Sequence, residues 1–571
     1  MVDVRLISAL EKVLQETSEL KAPEFRSDVA ARGEIYSFQI AVRSDDFTIM
    51  RIESASELNT RIRVVKSVPV LYAGTGADTD VINGNKPGFY PDLLDDPDFG
   101  EQFRLVKNIW QCLWVTVYVG KDQKPGKYPI EIGIRNMGTN EVEAKPVFDL
   151  EVLDFELVPQ TLSNYNWFHV DCLFDYYKVP CWSEEHWQII ENFARNAHDH
   201  GVTMLYTPLW TPPLDTAVGH SRPSCQLLDI TLDLSTLTYS FNFDRLRRYI
   251  ELGQSIGFKE FGMSHLFTQW GAKCCPKIQA TLINSARSIA TERYGAQHDW
   301  KKFVADQFTT IFSWNIESTS QEYADFLKQL FPALLPVLRE YGLGKENCFF
   351  SLSDEPHNDH LETYSKCVEL TRPLLEEFET IEALSHLDFY NKGLVKHPVP
   401  SISKIEEFKE VVSPLWGYYC CGPEAGYPNR FIGMPSRRPR SFGMLAYIYD
   451  LAGFLHWGFN FYFSQNSINW YHDVWKDPTG GSGFSGGGPF NVYPGEDGPV
   501  DSIHHEIFRE GLQDLRACTL LEELAGKEAV MELLQKGLDT PLSLTSYPRS
   551  AQWLLDARRR LDNAILEKLQ R

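Results

Sequence analysis

The sequence predicts a multidomain α/β and all-β protein: an N-terminal β-sandwich over 1–160, a TIM-type (β/α)8 barrel over 161–515 and a helical C-terminal segment over 516–571. Three observations predict it. Short apolar or alternating runs separated by turn residues fill the first 160 positions. Beyond them, strand-like and helix-like runs take turns, which is the pattern of a parallel sheet with helices outside it. One run, Cys348-Phe349-Phe350-Ser351-Leu352-Ser353-Asp354-Glu355-Pro356-His357, passes straight from an apolar strand into two adjacent acids. In barrels, that end of a strand is where ligands and loops meet.

The N-terminal strands are read at 33–42, 62–66, 113–119 and 128–134. Asn83-Gly84-Asn85, Lys124-Pro125-Gly126-Lys127 and Asn136-Met137-Gly138 supply turns, and this spacing suggests a sandwich. No catalytic constellation is found in it.

After residue 160 the expected order is strand 165–170, helix 183–200, strand 202–207, helix 243–256 and strand 260–266. It continues with helix 321–341, strand 348–353, helix 361–378, strand 380–385, strand 411–419, helix 439–451 and strand 453–460. Seven strands are clear and an eighth is not placed. Two insertions, near 267–320 and 463–500, lack regular patterning. Loops of that length are commonly functional. The glycine-rich stretch 480–488 in the second lacks the G-K-[ST] ending of a phosphate loop. A mobile lid is the preferred reading, with a plain flexible loop beside it.

Composition narrows the function. With 571 residues, 43% hydrophobic and 13% aromatic, the chain supports several packed cores and excludes global disorder. A net charge of −22 without a Lys/Arg block argues against nucleic acid or anionic membrane as partner. No 18-residue apolar run and no apolar leader are seen, and the 11 cysteines are scattered without C-x-x-C spacing. A cytoplasmic protein with reduced thiols is expected. A homo-oligomer is compatible with all of this.

If the strands form a barrel, the residues that follow them converge. They are His169 and Asp171 after the first strand, Asp215 after the second and Trp270 after the third. Asp354 and Glu355 follow the fourth, His386 and Tyr390 the fifth, Trp416 and Tyr418 the sixth with Arg430 in the next loop, and Trp457 and Asn460 the seventh. Aromatic planes mixed with hydrogen-bonding groups suit an uncharged, hydroxyl-rich ligand. Neighbouring carboxyls push each other's pKa apart, as a glycosidase needs.

Each feature also has a plainer reading. Asp-Glu-Pro makes a good helix start. A lone His is commonly a satisfied core residue, and tryptophans fill cores. Metal-ligand spacings are absent: His198-Asp199-His200 sits at a helix end and His504-His505-Glu506 lacks H-E-x-x-H. No metal and no cofactor are expected.

An ordered set of segments carries a resemblance. They are Gly33-Glu34 with Ser37-Phe38-Gln39, Trp167-Phe168-His169-Val170-Asp171-Cys172, Thr211-Pro212-Pro213-Leu214-Asp215-Thr216 and Ser353-Asp354-Glu355-Pro356. Cys421-Gly422-Pro423, Tyr427-Pro428-Asn429-Arg430-Phe431, Gly453-Phe454-Leu455-His456-Trp457 and Arg509-Glu510-Gly511-Leu512-Gln513-Asp514 complete it. With these the chain resembles glycoside hydrolase family 123, the β-N-acetylgalactosaminidases that overlap a domain of unknown function numbered 4091. The resemblance implies a sandwich before a catalytic (β/α)8 barrel and a retaining, exo-acting enzyme for terminal β-linked N-acetylgalactosamine (GalNAc). It also implies substrate-assisted catalysis, with Glu355 as general acid and Asp354 polarising the substrate's own 2-acetamido group. Tyr390 and Tyr418 are candidates for a bond to the acetamido oxygen. An oligosaccharide or glycoconjugate is the expected partner. The alternatives are a glycosidase for another β-linked sugar, N-acetylglucosamine or a non-acetamido hexose, and a non-catalytic carbohydrate-binding protein.

Overall fold

The structure, a computed structural model, describes residues 2–74, 78–284, 293–294 and 307–570. The chain divides into two compact units. One comprises Met1–Thr161, Cys421–Leu451 and Asp473–Arg571; the other comprises Leu162–Cys420 and Ala452–His472.

In the first unit, two sheets share one core. The five-stranded sheet runs Val2–Ser8, Ile35–Ser44, Trp110–Tyr118, Asn59–Val70 and Gly88–Asp95, with every pair antiparallel. The second runs Ser27–Arg32, Val147–Glu156, Gly126–Asn136, Thr48–Ala55 and Gln102–Leu105, with Val142–Ala144 off its path. Alternate residues point inward, as the pleat dictates. Phe38, Ile40 and Val42 from one sheet meet Met50, Ile132, Phe148 and Leu150 from the other, and the Phe38 and Phe148 rings stack 4.2 Å apart. The sheet-rich N-terminal region expected from the sequence is therefore present.

The C-terminal helices belong to this same compact unit rather than to a separate segment. The helix Ile503–Ala525 runs unbroken through the expected 515/516 boundary. It packs on the helix Arg437–Ile448 so closely that a Cβ on Gly443 would lie 1.7 Å from the Gly511 carbonyl oxygen. Buried ion pairs tie the unit together: Arg440 to Glu510 at 2.9 Å, Arg558 to Asp514 at 3.1 Å and Arg558 to Glu34 at 2.8 Å. Removing one member of such a pair strands a buried charge, so cutting the chain at 515 would be costly.

The 480–488 glycines also sit in this unit, and two of them are held by close packing. Gly486 donates its N–H to the Tyr72 carbonyl and accepts from the Ile432 N–H. A Cβ there would lie 2.8 Å from Val70, and Gly487 takes φ +77° with Ile432 2.7 Å from its own Cβ position. Close packing and left-handed backbone, rather than mobility, account for these two glycines.

In the second unit, seven short strands lie in parallel pairings: Ser163–Asn166, Met204–Thr207, Glu260–Met263, Cys348–Phe350, Glu379–Ala383, His397–Val399 and Leu451–His456; an eighth, Leu415–Tyr418, is hydrogen-bonded beside the last. The hydrogen-bond ladders divide them into two sheets. Ser163–Asn166, Leu451–His456 and Leu415–Tyr418 form one, and the other five the second, in chain order. A few bonds cross the gaps: Thr203 donates its N–H to the Asn164 carbonyl at 3.0 Å, and Tyr418 donates its N–H to the Pro400 carbonyl at 2.9 Å and accepts from the Ile402 N–H at 2.8 Å. The strand that the sequence left unplaced is His397–Val399, three residues with a proline in the middle.

The 267–320 insertion is more ordered than expected. Ile278–Ile283 and Gln307–Phe312 join Asp229–Asp233 and Thr238–Asn242 in a four-stranded sheet. Positions 285–292 and 295–306 of that insertion lie outside the described residues.

Candidate active site

The acid pair follows the strand Cys348–Phe350, and two flanking segments hold its backbone. Buried Ser353 donates its hydroxyl to the Thr268 carbonyl at 2.8 Å and accepts from the Ala272 N–H at 3.1 Å. Its own N–H donates to Oε2 of Glu382 at 3.0 Å. Trp270 donates its N–H to the Asp354 carbonyl at 2.8 Å, and Glu355 donates to the Ala383 carbonyl at 3.0 Å. Glu355 takes φ +44°, a left-handed conformation. For a residue with a Cβ this costs on the order of 1–3 kcal/mol and persists only where surroundings enforce it. No helix begins here. The next helical turns are Asn358–His360 and Leu361–Thr371, so a helix-start role does not explain the two acids.

The two carboxyls meet different partners. Tyr418, from Leu415–Tyr418, donates its hydroxyl to Oε1 of Glu355 at 2.5 Å. Burial, followed by the Glu355 charge, pushes the Tyr418 phenol well above its usual value, so it remains a donor. Burial first, then the charges of Glu355, Glu382, Cys420 and Asp215, raise the Asp354 carboxyl well above the ordinary range. Desolvation and like charge act in the same direction here.

Two further acids surround the pair. Glu382 is buried, its Oε2 accepting from the Tyr364 hydroxyl at 2.6 Å as well as from Ser353. Burial pushes it up to about 8 despite those donors. Asp215 sits at φ +40° and accepts from the Asn466 N–H at 2.9 Å; burial pushes it up to about 6.

Other predicted residues turn away from a ligand. Arg222, fully buried, donates to both oxygens of Asp171 at 2.7 Å and to Nδ1 of His169 at 3.0 Å. Nδ1 therefore accepts, and Nε2 of His169 donates to the Trp457 carbonyl at 2.8 Å. Burial and the Arg222 charge hold the His169 ring well below its usual pKa, so it stays neutral. Asn460 accepts from the His169 N–H at 2.8 Å and donates to its carbonyl at 3.0 Å. His169, Asp171 and Asn460 thus build a clamp around Arg222, which also donates to the Leu214 carbonyl at 3.3 Å, next to Asp215.

The remaining positions divide as follows. Trp416 is core: its ring would be 2.1 Å from a Cβ on Gly453. Tyr390 donates to the Val411 carbonyl at 3.1 Å, which leaves Tyr418 as the tyrosine beside the acids. His386 pairs with His357 across 3.0 Å. Trp457 is half-buried against Phe461, 5.1 Å between rings. Trp270 stays partly exposed at φ +57°. Arg430 belongs to the other compact unit, where its guanidinium lies 5.5 Å from the Phe508 ring.

Residues 167–521 match the catalytic domain of glycoside hydrolase 123. The chain belongs to glycoside hydrolase family 123. Its fold is similar to that of a family 123 glycoside hydrolase from Clostridium perfringens, described for glycolipid glycan hydrolysis. The two are 17% identical, with a TM-score of 0.74 over 99% of this chain and 98% of that one. A cyclomaltodextrinase, 10% identical over 85% of this chain and 82% of its own, reaches a TM-score of only 0.29. No curated protein matches the chain.

As a family 123 glycoside hydrolase, the enzyme acts on carbohydrate. Among the described residues, no three His, Cys, Asp or Glu ligand atoms close enough to share a metal include Asp354, Glu355, Asp215 or Glu382. Sequence reasoning missed Glu382 and Arg222. An acid inside the apolar run Thr380-Ile381-Glu382-Ala383 was a readable signal for the first. Arg222 lies in a loop without pattern and carried none.

Proposed function

We propose that this glycosidase removes a terminal β-linked GalNAc residue with retention, through the substrate's own 2-acetamido group, on eight parallel strands closed into one barrel. The observation that carries it is the unequal setting of two adjacent acids: Asp354 is desolvated among carboxyls, while Glu355 is gripped by Tyr418.

In the free site the raised Asp354 carboxyl favours its protonated form. When the sugar's acetamido N–H donates to Asp354, that proton is on Glu355, whose Oε2 is left by Tyr418 to face the glycosidic oxygen. The acetamido carbonyl oxygen attacks C1 as the C1–O bond breaks, and Glu355 transfers its proton to the leaving oxygen. Positive charge grows on nitrogen beside Asp354. A buried carboxylate gains most where that charge appears, so its attraction is stronger in the transition state than in the ground state. Glu355, now ionised, takes a proton from water, which opens the oxazolinium ring at C1. Holding the nucleophile inside the substrate provides the high effective molarity that a protein nucleophile would otherwise supply.

The test is hydrolysis of matched nitrophenyl β-GalNAc and β-galactose glycosides. Cleavage of the acetamido sugar alone supports the reading; comparable cleavage of the galactoside overturns it.

A further inference from the structure

Three backbone segments meet around Asp215, and each pushes large apolar side chains into solvent. Val218 is 73% exposed, Ile468 60%, Trp470 43% and Trp270 39%. Exposed apolar groups are common singly; a contiguous set beside a site marks recognition.

The segments are bonded to one another. Gln269 donates its amide to the Thr216 carbonyl at 3.0 Å, joining the segment of Trp270 to that of Val218. Ala217 donates its N–H to the Asn466 carbonyl at 2.9 Å, and the Ser467 hydroxyl donates to the Asp215 carbonyl at 2.6 Å. The indole N–H of Trp470 donates to the Ser221 carbonyl at 3.0 Å, which fixes the plane of the ring. The backbone is bent to do this: Asp215, Trp270, Asn466 and Ser467 all have positive φ. Strain of this kind is retained where the surrounding structure enforces it.

The rim is also continuous with the acids. Trp270 is bonded through its backbone to Asp354, and the Asp215 charge acts on the Asp354 carboxyl.

We propose that Val218, Ile468, Trp470 and Trp270 form an apolar rim that binds the leaving-group side of an extended, uncharged glycan. The inference rests on the proposed glycosidase reading and deepens it by naming what lies beyond the cleaved bond. Fixed aromatic planes suit the C–H faces of sugar rings, and preorganisation lowers the ordering cost of binding. The chain's net charge of −22 disfavours an anionic lipid surface as the occupant.

The experiment compares Trp470→Ala and Ile468→Ser with wild type on two probes: a nitrophenyl β-GalNAc glycoside and a neutral trisaccharide ending in the same sugar. The expected result is a fall of about tenfold in the ratio of kcat/KM for trisaccharide over aryl glycoside, expressed in KM. An unchanged ratio in both variants overturns the rim. Loss of binding to phosphatidylcholine vesicles with an unchanged ratio also overturns it, in favour of a lipid surface. If wild type hydrolyses neither probe, the catalytic reading has failed. Calorimetric titration with the trisaccharide then decides the rim alone: weaker binding by Trp470→Ala supports it and equal affinity overturns it.

Discussion

The hydroxyl of Tyr418 donates to Oε1 of Glu355 across 2.5 Å, joining the ends of two strands that lie in different sheets. One oxygen of the carboxyl is thereby occupied, and the proposed mechanism uses the other. Tyr418→Phe keeps the buried ring and removes the bond. A hydrogen bond to a charged group is worth about 1.5–3 kcal/mol, so kcat should fall about tenfold to a hundredfold with the melting temperature little changed. Wild-type kcat in this variant would make the contact incidental.

The two acids should fail differently. Glu355→Gln should lower kcat by about 10²- to 10⁴-fold on a poor leaving group, and less on dinitrophenol, which departs without a proton. Asp354→Asn should lose about 10²- to 10³-fold whichever group leaves, because the charge it answers develops on the sugar. Equal leaving-group dependence in both variants would contradict the division of roles.

Glu382 makes stability depend on pH. Its carboxyl ordinarily titrates near 4.5 and is pushed up to about 8 in the folded protein. Between those values the folded state holds a proton that the unfolded state has lost, so this contribution declines as pH rises through the window. Glu382→Gln removes it. The melting temperature of the variant relative to wild type should therefore climb between pH 5 and pH 8.5. A constant difference across that range would rule out a raised, buried carboxyl.

Arg222 is predicted to be structural. Replacing it with Met leaves Asp171 charged and buried, which costs about 3–5 kcal/mol. Chemical denaturation should show that loss, and adding Asp171→Leu should recover part of it. A Met variant as stable as wild type would mean that Asp171 is solvated in solution.

The legible parts of the molecule are those where local pattern and tertiary role coincide. Alternation along 33–42 and 113–119 marked strands that do pair, Phe38 opposite Val115. Cys348–Phe350 leading into Asp354 and Glu355 was legible because a strand end and a charge pair can both be read from a few residues. His397–Val399 escaped because three residues with a central proline have no period to detect. The clamp was misread for another reason. His169, Asp171 and Asn460 have the chemistry of ligand-binding groups, and only the distant Arg222 shows that they bind one another. Trp416 is likewise indistinguishable from a stacking platform until Gly453 is seen beneath it. The helix Ile503–Ala525 looked like the end of one domain and the start of another, whereas its partners Arg437–Ile448 and Ala551–Leu569 are tied to it by long-range ion pairs.

The central claim is that the substrate's acetamido group closes on C1 beside Asp354. The most direct test is binding of a GalNAc-derived thiazoline, a stable analogue of the oxazoline, measured by inhibition of wild type and Asp354→Asn. Transition-state and intermediate analogues bind at least about 10²-fold tighter than substrates. The account predicts such a margin over free GalNAc in wild type and its loss in the variant. A thiazoline that binds no tighter than the sugar itself would contradict it.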